Sequence, residues 1–153
     1  MIVVSDTSPL TALLTIGEVE LLPQLFAEVF IPEAVRKELL RNHSELPNWL
    51  RVETVKDHAE ARRLMEFVDE GEAEAIELAK ELNADHLLID ERKGRRLAIQ
   101  EGVPVIGLLG AVLLAKRRNL IPSARAVLDL LKKEAGMYLS SEIREQALKS
   151  VGE

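Results

Sequence analysis

At 153 residues and a formal net charge of −6, the chain is long enough for one domain with a full core, and its negative balance argues against nucleic-acid binding through a broad basic face. No apolar run nears the roughly 18 residues of a bilayer span, and no basic stretch precedes the first apolar run, so a cytoplasmic chain without signal peptide is expected. The absence of cysteine excludes disulfides, thiolate metal sites and cysteine nucleophiles, and histidines 43, 58 and 86 share no metal-binding spacing.

"MIVVS" is apolar and β-branched, as a buried parallel strand is. It runs into Asp6. "PLTALLTI" and "VELLPQLF" read as two short helices, broken at Gly17, with Pro23 interrupting the second. "AEVFIP" is a second strand, and "PEAVRKELLRN" a helix with Pro32 at its start. "LRVETV" is a third strand. "HAEARRLMEFV" is an amphipathic helix with Leu64, Phe67 and Val68 on its apolar side. "GEAEAIELAKEL" is a helix begun after Gly71. "DHLLID" is a fourth strand, again ending in a carboxylate, Asp90. "ERKGRRLAIQEG" is a helix closed by Gly102, and "VPVIG" a fifth strand. "LLGAVLLAKRRN" is an apolar helix turning basic at its C-terminal end, which suits the macrodipole. "PSARAVLDLLKKEA" and "SSEIREQALKS" complete the helices. Strands alternating with helices predict an α/β sandwich with a mainly parallel, roughly five-stranded sheet.

In such sheets ligands bind beyond the carboxyl ends of the strands. Asp6 ends the first strand; Asp90 and Glu91 end the fourth. Glu33 and Glu38 lie on the helix after the second strand. Glu33 is in the first turn, where the dipole favours a carboxylate; Glu38 is deeper and gains little from it. Glu72 and Glu74 are about 200° apart around their helix and cannot both face one site. Glu72 shares its side with Ala75, Ile76 and Ala79, and is favoured; Glu74 shares its side with Glu77, Leu78 and Glu81, which reads as wetter. Each acid alone has an ordinary explanation: Asp6 and Asp90 as helix caps, Glu38 as an exposed acid, Glu72 as a dipole partner. Two strands ending alike in Asp are harder to explain that way. Three or four gathered carboxylates repel one another and need a cation, and all-oxygen donors suit Mg²⁺ or Mn²⁺. Such an ion can activate water against a phosphodiester.

In this order "VVSDTSPL", "IPEAVRKEL", "GEAEAIELA", "LLIDERKGRRLA" and "GVPVIGLLGAVLLAKRRNLI" resemble the PIN domain family of metal-dependent ribonucleases, over about residues 1–120. The resemblance implies a three-layer α/β/α fold, a single PIN-like domain over 1–153 with C-terminal helices at 122–150, and catalytic, metal-holding acids at Asp6, Glu38, Glu72 and Asp90. The interval of 18 from Glu72 to Asp90 matches the family's and supports Glu72 over Glu74. The family often has Asp at this third position, so Glu is a departure. Ser8 fits the polar residue two beyond the first Asp that supports metal or water; Glu91 would add an oxygen through water. The resemblance further implies Mg²⁺ or Mn²⁺, cleavage of RNA by metal-activated water, a small antitoxin partner and a homodimer. Arg92, Lys93, Arg95 and Arg96 are the expected RNA-backbone contacts, Arg96 first among them.

Other strand-end acid sites fit less well. A haloacid-dehalogenase-type phosphatase needs a second Asp where Ser8 stands; a receiver domain needs paired early acids and a late lysine. A dinucleotide-binding domain needs glycines after the first strand, and "SDTSPL" has none. The main alternative is a PIN-fold module that binds nucleic acid or protein without cutting.

Overall fold

Five parallel strands form one sheet in the computed structural model, which describes residues 1–153. They are β1 (Ile2–Ser5), β2 (Glu28–Ile31), β3 (Leu50–Val52), β4 (His86–Leu88) and β5 (Val105–Ile106), in the order β3-β2-β1-β4-β5. Nine helices surround it: α1 (Thr7–Thr15), α2 (Leu21–Leu25), α3 (Glu33–Leu40), α4 (His58–Leu64), α5 (Glu70–Glu81), α6 (Arg92–Gln100), α7 (Leu108–Arg117), α8 (Ala124–Ala135) and α9 (Ser141–Ser150).

The strands' two-residue period divides the core in two. Val3, Val29, Ile31 and Leu88 face a cluster built with α1, α2, α7 and α8. Val4, Phe30, Leu87 and Ile89 face a cluster built with α4, α5 and α6. The fold is therefore the expected three-layer α/β/α sandwich with an all-parallel sheet. The apolar face of α7 belongs to the first core: Leu108, Ala111, Val112 and Ala115 are buried there.

The order of strands matters more than their number. The chain steps outward from β1 through β2 to β3, then returns to place β4 on the other side of β1. The direction of winding reverses between β1 and β4, and a crevice opens at their carboxyl ends. Val3 pairs with His86, Val4 with Leu87 and Ser5 with Leu88. That register sets the ends of the two strands side by side.

Several local expectations need correction. Pro23 does not interrupt α2; it lies in the first turn, where no intrahelical N–H bond is lost. The fourth helix stops at Leu64, where the N–H groups of Glu66 and Phe67 turn back to the Arg63 and Leu64 carbonyls three residues earlier, in place of the four-residue helical pattern. Leu64 is buried, but Phe67 is 56% exposed and not part of an apolar helix face. The next helix starts at Glu70, one residue before Gly71, with Asp69 as its cap. Asp90 does not cap α6 either; Glu91 does, accepting from the Gly94 N–H at 2.8 Å.

Ile76 is fully buried in the second core, between sheet and helices. Ile76→Ala is expected to lower unfolding free energy by about 2–5 kcal/mol, the range for such core truncations, as read by urea denaturation. A smaller loss would mean that the α5 layer is loosely packed.

Candidate metal centre

Asp6 follows β1 directly, and its N–H donates to the Leu88 carbonyl of β4 at 2.9 Å. It occupies the capping position of α1, yet its side chain accepts no capping hydrogen bond. At 5% exposure this carboxyl is driven to a pKa of about 7, first by burial and then by repulsion from Asp69, Glu38 and Asp90, with the Thr7 N–H opposing. A buried acid that caps nothing is poorly explained by helix stability.

Glu38 reaches Asp6 from α3. Thr7 Oγ1 donates to Glu38 Oε2 at 2.8 Å, tying α1 to α3. Glu38 Oε1 lies directly over Gly71, so close that any side chain there would displace it.

Glu72 enters from α5 and is 8% exposed. Its N–H is capped by Asp69 Oδ1 at 2.8 Å, and its own Oε2 is buried without a partner. Burial, contact with Asp69 and repulsion from Asp6 and Glu91 raise its pKa to about 8. A methyl on Gly94 would sit 2.5 Å from Glu72 Oε2; glycine is what lets α6 approach this carboxylate.

Asp90 lies two residues beyond β4. Its Oδ1 accepts from the Leu108 N–H at 2.8 Å, at the start of α7. Partial desolvation raises its pKa, while the Leu108 N–H and Arg95 pull it back. Arg95 Nη1 is itself held by the Ile89 carbonyl at 2.8 Å, which fixes one cation at the edge of the cluster.

The structure thus gathers Asp6, Glu38, Glu72 and Asp90 in one crevice, and adds Asp69. The Asp69-x-x-Glu72 spacing is a capping signal that points to this fifth acid. Thr7 has a weaker signal, a hydroxyl beside the first Asp. Glu74 turns elsewhere: its Oε1 accepts from the Ala34 N–H at 3.1 Å, satisfying the start of α3. The side of α5 carrying Glu74 is drier than expected, for Glu77 and Leu78 are 4% and 1% exposed. Glu91 uses one oxygen as the α6 cap. Ser8 is exposed beside Asp90, in a hollow it shares with Ala12 and Leu108.

The basic residues of α6 divide. Arg92 and Arg95 line a hollow with Asp90. Lys93 and Arg96 line another with Phe67, so Arg96 faces away from Asp90.

The fit to a divalent cation can be judged from these residues. All donors are oxygens, one buried oxygen has no partner, and two acids ionise only at about pH 7 and 8. That set suits a hard cation such as Mg²⁺ or Mn²⁺. No three acidic or histidine side chains stand already posed to hold an ion together, so binding requires the carboxylates to draw inward against their mutual repulsion.

The family description that matches the chain is "PIN domain", over residues 2–153. Among curated proteins none matches it. No helix is long and apolar enough to cross a membrane.

A pH dependence follows from the raised acids. The unfolded chain gives up these protons near pH 4; the folded protein keeps those of Asp6 and Glu72 to about 7 and 8. Between those limits the folded state binds more protons, so stability falls as pH rises. In EDTA the melting temperature is expected to be lower at pH 8 than at pH 5.5. Mn²⁺ should restore it at pH 8 and do little at pH 5.5, by mass action on the ionised site. Glu77, also raised to about 7 by burial, adds to the slope without being part of the cluster. Glu72→Gln should therefore flatten the slope in part and weaken the Mn²⁺ response. An equal Mn²⁺ effect at both pH values would sink the assignment.

Proposed function

Because the chain belongs to the PIN-domain family, whose members are in general nucleases, we propose that it is a divalent-cation-dependent endoribonuclease. The single observation that carries this reading is the gathering of Asp6, Glu38, Glu72 and Asp90 at the switch between β1 and β4, with Asp6 and Glu72 both raised by burial and by like charges.

In this reading Asp6, Glu38, Glu72 and Asp90 hold Mg²⁺ or Mn²⁺, with Glu91 and Ser8 supporting water around it. When bound, the ion supplies an acidified water and neutralises charge on the phosphodiester. The chain's own residues do the rest. Thr7 holds Glu38 in place through its hydroxyl. The Leu108 N–H holds one oxygen of Asp90 and leaves the other for the site. Arg95, fixed on the Ile89 carbonyl, and Arg92 place positive charge beside Asp90, where a phosphate must approach acids that would otherwise repel it. Water adds to phosphorus, the bond to one ribose oxygen breaks, and that oxygen leaves with a proton.

RNA as the polymer, an antitoxin partner, a homodimer and a cytoplasmic site of action belong to the same proposal and rest on the resemblance. A small open reading frame directly upstream of the gene would support the toxin role.

A second reading, a PIN-fold binding module that does not cut, is favoured by the absence of three carboxylates already posed around one point. The same variants separate the two. Asp6→Asn and Asp90→Asn should each lower Mn²⁺-dependent cleavage of single-stranded RNA by about 100-fold or more and remove the Mn²⁺ rise in melting temperature. Unchanged cleavage and unchanged Mn²⁺ stabilisation in both variants would defeat the nuclease reading.

A further inference from the structure

Phe67 is out of place for a core residue. The chain has only five aromatic side chains, three Phe, one Trp and one Tyr. Burying a phenylalanine is worth roughly 1.5–3 kcal/mol, and yet this ring stands 56% exposed in the turn after α4. It has no aromatic neighbour; the pair present is Phe26 with His86.

What surrounds Phe67 is specific. Its hollow, of about 370 Å³, is lined across from it by Lys93 and Arg96, one turn apart on α6. Both are exposed and neither is paired with a carboxylate. The Arg63 in the same wall is already committed to Glu60 and Glu101. A second hollow continues from the first, sharing Glu66, Phe67, Val68 and Lys93, and runs to Asp69, Glu72 and Glu91. The ring therefore stands on a path that ends at the acid cluster. On the far side, Arg92 and Arg95 line the hollow that contains Asp90.

We propose that Phe67 is a stacking platform for an unpaired nucleobase of the RNA, with Lys93 and Arg96 holding the phosphates beside it, on one flank of the bond to be cut. This rests on the nuclease reading above. An exposed ring next to free cations is how single strands are gripped without base-edge readout: the π-face takes any base, and the cations follow the backbone. A duplex keeps its bases stacked inside and cannot offer one to Phe67. The division of the α6 cations gives the strand contacts on both sides of the acids, and in a chain of net charge −6 such local positive charge is what a polyanion can use.

The test uses the full-length protein in Ca²⁺ and a fluorescein-labelled single-stranded RNA of mixed sequence. Phe67→Ala should weaken binding on the order of 10-fold, while Phe67→Trp retains it and Phe67→Leu does not restore it. Because Phe67 is exposed, these variants should melt like the parent. In Phe67→Trp with Trp49→Phe, the indole emission should be quenched by the single strand and not by a duplex of the same sequence. In Mn²⁺, Phe67→Ala should raise KM with little change in kcat. If Phe67→Ala binds the RNA as the parent does, or Phe67→Leu fully replaces the ring, or the indole responds only to a protein partner, the platform is overturned. The two readings fail separately. Loss of cleavage in Asp6→Asn with a silent Phe67→Ala removes the platform alone. Ring-dependent binding by a protein that never cleaves keeps the platform and removes the nuclease.

Discussion

The bond from the Asp6 N–H to the Leu88 carbonyl is the constraint on which the candidate site depends. It is the last rung of the β1–β4 pairing, and that pairing exists because the chain returns across β1 after building β2 and β3. Without the return, Asp6 and Asp90 would be separated by other strands. With it, both lie over one crevice, and α3 and α5 bring Glu38 and Glu72 in beside them. Much of what surrounds the crevice serves to keep the acids near one another despite their charge. Thr7 restrains Glu38, the Leu108 N–H restrains Asp90, and Asp69 caps the turn that carries Glu72. Gly71 and Gly94 supply the clearance that Glu38 and Glu72 occupy.

The sheet could be read in the sequence because its signals are local. Within "MIVVS" and "DHLLID" the residues Val3–Ser5 and Leu87–Ile89 are buried on both faces, and continuous apolar stretches with β-branched residues are the mark of parallel strands. The strand-end acids could be read from the rule that α/β sites form at carboxyl edges. Glu72 was favoured over Glu74 from helical angle and from its interval to Asp90, and Glu74 is found holding the Ala34 N–H. What was misread depends on contacts between distant parts of the chain. The buried state of Glu77 is one case: its salt bridge to Lys80 belongs to a network joining α4, α5 and the end of α6, and no short window contains it. The start of α5 is another. Gly71 looks like a helix boundary, but the Asp69 cap and the need for α5 to pass close to Glu38 put that glycine inside the helix. Phe67 was misread because a helical period was extended past Leu64, where the backbone turns.

The basic helix α6 shows how a negatively charged chain can still present cations to a polyanion. Four of its first five residues are basic, on a helix whose N-terminal end already carries partial positive charge. Glu91 meets that end as a cap, and the side chains then divide between the two hollows. Charge is thereby concentrated in two hollows beside the acid crevice rather than spread over a face.

The acids of the crevice fall into two kinds, and the difference locates where a cation would matter most. Glu38, Asp69, Asp90 and Glu91 each have an oxygen engaged by a hydroxyl or a backbone N–H. Glu72 has a buried oxygen with no partner, and Asp6 leans only on the Thr7 N–H. Burial and like charges push these two up to about 8 and about 7. A protein selected only for stability would replace such acids with their amides or with apolar residues, because a buried unpaired carboxylate is costly. Neutralising them by protonation works only below the pH at which they ionise. A divalent cation neutralises both at once, and it gains most from the two acids that the protein itself leaves least satisfied.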